Sequence, residues 1–357
     1  MWIYRRWYCN KIADGEIVSI IVGGSGNLVD ADYSFIGGGV SNCACNGCLH
    51  TIGGGCSNKI LGSTGHYHTV AGGRLNCINV GGSNCDYNFI GGGYGNCVLC
   101  NGCNTITGGY GNRIQYADYN TIGGGQSNMI CGAAITRGHQ FIGGGSGNQI
   151  YSSCCATMAG GYQNCISNSC HSFIGGGSQN CICACARCSV IVGGFSNCIG
   201  TNDCFSGILG GCNNSIAACC AFIIGNGITA TTDRFTYMNN ACVSGTTRTV
   251  SLVETSARRF KECIFPLKDQ IDNIKRLEPI EFTWKKDKTK DIGFIAEDVA
   301  KIYPDLIAYE TNGDINGIQY TKLTTVLVKA IQQQQQQIDK LNSKIETLSS
   351  KLDSLNK

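Results

Sequence analysis

The chain has 357 residues, with 51 glycines, 26 cysteines, 3 prolines, a formal net charge of +3 and only 14% charged residues, against roughly 25% in an ordinary globular protein. Near-neutral charge without a basic cluster argues against nucleic acid as the main partner, and no apolar run approaches the roughly 20 residues of a membrane span. The average hides a division: residues 1–255 carry 10 Lys+Arg and 9 Asp+Glu, and residues 256–357 carry 17 and 15. The same cut leaves 48 of the 51 glycines and 25 of the 26 cysteines on the N-terminal side.

Residues 1–16 begin Met1-Trp2-Ile3-Tyr4-Arg5-Arg6-Trp7-Tyr8. They lack the apolar core and small-residue cleavage site of a secretory signal and read as an attachment segment to a virion or appendage base.

From 17 to 227 a phrase recurs: two apolar residues, two or three glycines, two variable residues and an asparagine, as in Phe141-Ile142-Gly143-Gly144-Gly145-Ser146-Gly147-Asn148. The closing asparagine falls at Asn27, Asn42, Asn58, Asn76, Asn96, Asn112, Asn128, Asn148, Asn164, Asn180, Asn197 and Asn214, at intervals of 15 to 20 residues. Helical repeats need 33 or more, so the period fits one coil of a β-solenoid. The apolar pairs belong on short strands that stack into a continuous core. The glycines mark positive φ or close backbone approach, and the asparagines suit corners, where stacked copies would form a ladder. A weaker apolar position (Ile60, Ile78, Ile130, Ile150, Ile166, Ile199, Ile216) predicts a second strand per coil. Coils of 18 and 20 residues carry longer loops, the faces offered to a cell-surface receptor or glycan. Because one coil is thin, intertwined or side-by-side packing of three chains is the expected source of stability.

Three readings of the cysteines stand. They serve as small buried hydrophobes or turn residues, as disulfides within or between protomers, or as soft-metal ligands in Cys43-x-Cys45-x-x-Cys48, Cys97-x-x-Cys100-x-x-Cys103 and Cys181-x-Cys183-x-Cys185-x-x-Cys188. These clusters are expected on loops. Calcium repeats need an Asp after the glycines, which is lacking here. No cofactor and no metal are expected. The phrase resembles the head repeats of YadA-like trimeric adhesins, from which the triple glycine and the cysteines depart.

Residues 228–255 read as a neck with a β-hairpin at 234–245. There follows Val253-Glu254-Thr255-Ser256-Ala257-Arg258-Arg259-Phe260-Lys261, then Leu277-Glu278-Pro279-Ile280-Glu281-Phe282-Thr283-Trp284, Asp291-Ile292-Gly293-Phe294-Ile295-Ala296-Glu297-Asp298-Val299, Tyr303-Pro304-Asp305-Leu306 and Tyr320-Thr321-Lys322-Leu323. In this order the segments resemble the C-terminal intramolecular chaperone of endosialidase-type tail spikes, covering 256–330. The resemblance implies a homotrimer and self-cleavage between Thr255 and Ser256, with the family's Ser-Asp-x-Arg-x-Lys motif supplied by Ser256, Arg259 and Lys261 and its Asp replaced by Ala257. A serine hydroxyl needs a base, and a lysine serves when burial or neighbouring cations such as Arg258 and Arg259 favour its neutral form. For the hexapeptide alone, a capping serine before a basic helix start is the competing reading.

Residues 331–357 form a coiled coil, with Ile331, Ile338, Ile345 and Leu352 at a and Gln334, Leu341, Leu348 and Leu355 at d. The expected fold is therefore mostly β: a trimeric β-solenoid shaft, then a small α+β chaperone domain ending in a coiled coil. The function is a structural or adhesive fibre of a virion or extracellular appendage. A glycan-degrading spike is the alternative, although Asp30 and Asp32 are the only close acidic pair in the shaft and are expected in a loop. A cysteine-rich metal-binding fibre is the other.

Overall fold

A computed structural model describes residues 9–62, 65–81, 86–99, 102–132, 138–239, 255–310 and 312–355. The aromatic start through Tyr8, and Cys85, Cys100 and Cys242, lie outside them. The chain divides into two units, Met1–Thr247 and Arg248–Lys357.

The first unit is a β-solenoid, mostly of two-residue and three-residue strands. Among the described residues sheet A has 14 strands, from Lys11–Ile12 to Thr229–Ala230, and sheet B has 14, from Ile20–Ile21 to Thr236–Met238. Each strand pairs in parallel with its counterpart one coil away, as Ile114↔Ile130 in sheet A and Ile122↔Ile142 in sheet B. Successive side chains alternate between faces, so each strand puts one apolar residue inside. Ile130, Ile150 and Ile166 of sheet A and Ile106, Ile122 and Ile142 of sheet B are fully buried. These columns are buried within the one chain.

The asparagines form the expected ladder. Asn148 Oδ1 accepts the Asn164 backbone N–H at 3.0 Å, while its Nδ2 donates to Gly144 O and to Gly161 O, both at 2.9 Å. The same three bonds recur at Asn112 and Asn180, so a fully buried amide is satisfied. The third glycine of the phrase is obligatory here. Gly145 has φ +85°, and a Cβ on it would lie 2.1 Å from Gly161 O. The ladder starts ahead of residue 17, since Asn10 Oδ1 accepts Asn27 N–H. At the other end the expected hairpin is absent among the described neck residues: Thr236–Met238 pairs in parallel with Phe222–Ile224 as a last coil.

A second polar column runs opposite, through Ser34, His50, His68, Asn88, Asn104 and Asn120, all buried. Beside it is a corner of exposed non-glycine residues at positive φ, including Tyr33, Tyr67, Tyr87, Tyr119 and His139. Tyr67 and Tyr87 stack with ring centroids 4.9 Å apart. Such strain is tolerated because the stacked coils fix the corner on both sides.

The second unit has two antiparallel hairpins, Ile280–Thr283 with Lys290–Gly293 and Ile307–Tyr309 with Ile315–Ile318. Its helices are α1 (Ile271–Ile274), α2 (Ala296–Ala300) and the long α3 (Tyr320–Leu355). Leu306, Leu323 and Val326 centre its core, with Ile274, Leu277, Phe294 and Tyr303 packed around them. Gln270 is buried, accepts the Tyr303 hydroxyl at 2.9 Å and donates its N–H to Gln333 Oε1 at 2.8 Å. The glutamine run 332–337 is helical, and within it Gln333 is half-buried whereas Gln334 is exposed.

Candidate functional site

Residues 257–261 make one tight turn. Arg258–Phe260 is a single turn of 3₁₀ helix, with the Phe260 N–H on Ala257 O at 3.1 Å and the Lys261 N–H on Arg258 O at 3.0 Å. So short a turn reverses the chain and brings its two flanks together. Lys261 Nζ donates to Ser256 Oγ at 2.6 Å. Ser256 does not cap the turn; Ala257 holds the N-cap position, and no side chain bonds there. Arg259 sits apart from the pair, its guanidinium 4.8 Å from the centre of the Phe260 ring, in cation–π contact. Thr255, Ser256, Arg259 and Lys261 are all exposed in the single chain.

A nucleophile and an amine within hydrogen-bond reach, next to a peptide bond, form the minimum set for acyl transfer. Gln270, which sequence motifs did not single out, ties the stretch after the turn to α3 through Gln333. Only its burial reveals it.

Residues 256–308 match the family model described as the chaperone of endosialidase, Peptidase_S74. The C-terminal unit carries an endosialidase-type chaperone domain. The match begins on the serine of the turn and covers the Leu277, Asp291 and Tyr303 segments, while the segment at Tyr320 lies just beyond it. No curated protein matches the chain.

The shaft ahead of the chaperone domain spends its few acids on structure. Asp32, Asp86, Asp118 and Asp233 each accept a backbone N–H from an adjacent coil, from Ile17, His66, Gly102 and Cys219 at 2.7–2.8 Å. Asp30 and Asp32 lie on strand Leu28–Asp32 rather than in a loop. Glu16 hydrogen-bonds Asp32; desolvation, then that bond, raise its carboxyl above the usual range.

The cysteines are not confined to loops. Cys43 and Cys45 lie on strand Cys43–Cys48 and are joined by a disulfide. Cys97 and Cys181 open strands of sheet A. Among the described residues no three His, Cys, Asp or Glu side chains form a group that could hold a metal ion. No described helix is long and apolar enough to cross a membrane.

Proposed function

We propose that the chain is a homotrimeric structural or adhesive fibre of a virion, phage tail or surface appendage. Its chaperone domain gathers three chains, guides their folding, and then cuts between Thr255 and Ser256. The observation that carries this reading is the 2.6 Å contact from Lys261 Nζ to Ser256 Oγ, at the first residue of the family match. Support for assembly comes from α3, where Ile338, Ile345, Leu348 and Leu352 are 42–65% exposed in one chain. An apolar heptad stripe left bare is a surface for other helices.

In the cut, neutral Lys261 takes the proton of Ser256 Oγ, which attacks the Thr255 carbonyl through a five-membered ring. The C–N bond breaks, the lysine returns the proton to the leaving nitrogen, and an ester joins Thr255 to the Ser256 side chain. Water hydrolyses the ester, leaving a carboxylate on Thr255 and a free amine on Ser256. Arg259 steadies the oxyanion in this reading only after it swings from the Phe260 ring toward the Ser256–Lys261 pair, as three chains close around the turn. The fragment removed is the charged, cysteine-poor one, leaving the solenoid as mature fibre with its longer loops as receptor-facing or glycan-facing surfaces.

Intact-mass analysis tests the cut. The wild-type chain should resolve into fragments ending at Thr255 and starting at Ser256, and Ser256→Ala or Lys261→Ala should stay full length and still assemble. Scission at the same bond in Ser256→Ala would overturn the assignment.

A further inference from the structure

The C-terminal part of the shaft carries a patch of four thiols on the outer face of sheet A. The strand register places Cys165, Cys181 and Cys198 at one position on three successive coils. Cys183, two residues beyond Cys181, reaches both neighbours: its Sγ is 3.7 Å from Cys181 Sγ and 3.7 Å from Cys198 Sγ. The backbone of Cys183 is fixed on both sides, its N–H on Ile199 O at 2.9 Å and its carbonyl accepting from the Ser169 hydroxyl. All four thiols are half-buried and free.

A second observation shows what this position does when oxidised. Cys43 and Cys45 hold the same relation on a strand eight places earlier in sheet A, and they are bonded to each other. The scaffold therefore accepts a disulfide between a residue that opens a sheet A strand and the residue two further on. At Cys181 and Cys183 the pair is unbonded and has a third thiol beside it on the next coil.

We propose that Cys183 is an oxidation site of the shaft, bonding either to Cys181 in its own coil or to Cys198 in the next. In the first step two thiols lose two protons and two electrons to a small disulfide such as oxidised glutathione, which departs as two thiols. In the second the Cys198 thiolate attacks Cys183 Sγ, the bond to Cys181 breaks, and Cys181 leaves as thiolate, with no further oxidant needed. The two products differ mechanically. A Cys181–Cys183 bond bridges residues two apart in one coil and restrains nothing beyond it, whereas a Cys183–Cys198 bond staples two coils. Burial first, then Cys198 and the Asp203 carboxylate, push the Cys183 thiol up, so formation should quicken as pH rises.

The native full-length chain is treated with oxidised glutathione, alkylated, cut with trypsin and chymotrypsin, and mapped by tandem mass spectrometry. Peptide 174–187 holds Cys181, Cys183 and Cys185, and peptide 196–205 holds Cys198 and Cys204, so backbone fragment ions within each peptide place the bonded and the alkylated cysteines. The wild type should give 174–187 either internally bonded at Cys181–Cys183 or linked through Cys183 to Cys198. Cys198→Ser should leave only the internal bond, and Cys181→Ser only the cross-link. Alkylated Cys183 in wild type, in a sample whose Cys43–Cys45 bond is intact, would overturn the proposal. So would a Cys181–Cys198 bond forming as readily in Cys183→Ser, because Cys183 would then not be the shared partner.

Discussion

Ile142 in the shaft is completely buried by its own chain, whereas Ile345 in α3 is 62% exposed. The shaft solves its burial problem coil by coil, with two inward columns and two polar ladders, and each coil needs only its neighbours. The C-terminal unit buries a small cluster around Leu306, Leu323 and Val326 and leaves its longest apolar stripe uncovered. A solenoid of near-identical coils has many almost equivalent registers, and a slip by one coil would still bury isoleucines. The solenoid is self-sufficient in its core but poorly defined at its start, and the chaperone unit is the reverse. Under the proposed function the second aligns the first and is then removed, which fits this contrast.

The largest break in this contrast should come from α3. Ile345→Asp touches nothing in the single chain but puts three carboxylates into one layer of the assembled stripe. Three side chains burying about 2 kcal/mol each imply a loss of at least about 6 kcal/mol per trimer, or some 10⁴-fold in association. Sedimentation should show dissociated or misassembled chains, and a trimer of wild-type stability would show that α3 is not the assembling element. Next comes the shaft's own ladder. Asn148→Ala strips the acceptor from the Asn164 N–H and the donor from the Gly144 and Gly161 carbonyls. At about 1–3 kcal/mol for each of the three orphaned groups, about 3–9 kcal/mol is lost locally. Hydrogen exchange should open at 140–165 while distant coils hold, and uniform opening would contradict nearest-neighbour coupling.

A smaller effect should separate one stretch of shaft from the rest by pH. His50 and His68 are fully buried and stacked 5.1 Å apart, and His50 Nδ1 and His68 Nε2 lack hydrogen-bond partners. Burial, then the neighbouring His50, lower His68 to about 4, and burial likewise lowers His50. His66 and Asp86 also face His68, the first opposing its charge and the second favouring it. The folded state binds protons less tightly than the unfolded chain, whose histidines titrate near 6.5. Stability is therefore full above about pH 6.5 and falls as pH drops toward 4, by about 3 kcal/mol for His68 alone. The double variant His50→Asn, His68→Asn carries the residue that this column uses at Asn88, Asn104 and Asn120. Compared with wild type at one acidic pH, it should restore exchange protection over 45–90, and equal protection in both chains would remove the histidines as the cause.

The period of the asparagines made the coil, its two strands and its ladder legible, because each of those residues does the same thing at every repeat. The second polar column escaped notice because it changes identity from Ser34 through His50 to Asn88 while keeping one role. The positive-φ corner was hidden for a related reason, since Tyr67 and His139 stand where glycine or asparagine would announce the conformation. Cysteine spacing misled. Cys183 and Cys198 are 15 residues apart and their sulfurs 3.7 Å apart, a proximity set by coil length rather than by any local motif. At the turn 257–261, motif order pointed to Ser256 and Lys261 together. That Arg259 would lie on Phe260, apart from the pair, depended on a rotamer no sequence pattern encodes.

The smallest effect concerns that turn. Ala257 occupies the N-cap of Arg258–Phe260 with no side-chain bond, and the resembling family carries an aspartate there. In Ala257→Asp the new carboxylate can accept the Arg259 N–H, a cap worth about 1 kcal/mol. A better-held turn keeps Lys261 on Ser256 for a larger fraction of the time. If that fraction limits the reaction, 1 kcal/mol corresponds to about a fivefold faster cut, read as the rate at which full-length chain disappears after refolding. Ala257→Asn offers a neutral cap of similar shape and should reproduce most of the gain. An increase with Asp but none with Asn would instead mark the carboxylate's charge, acting on Lys261, as the missing element, and no change with either would mean that the turn is already fully formed in the assembled chain.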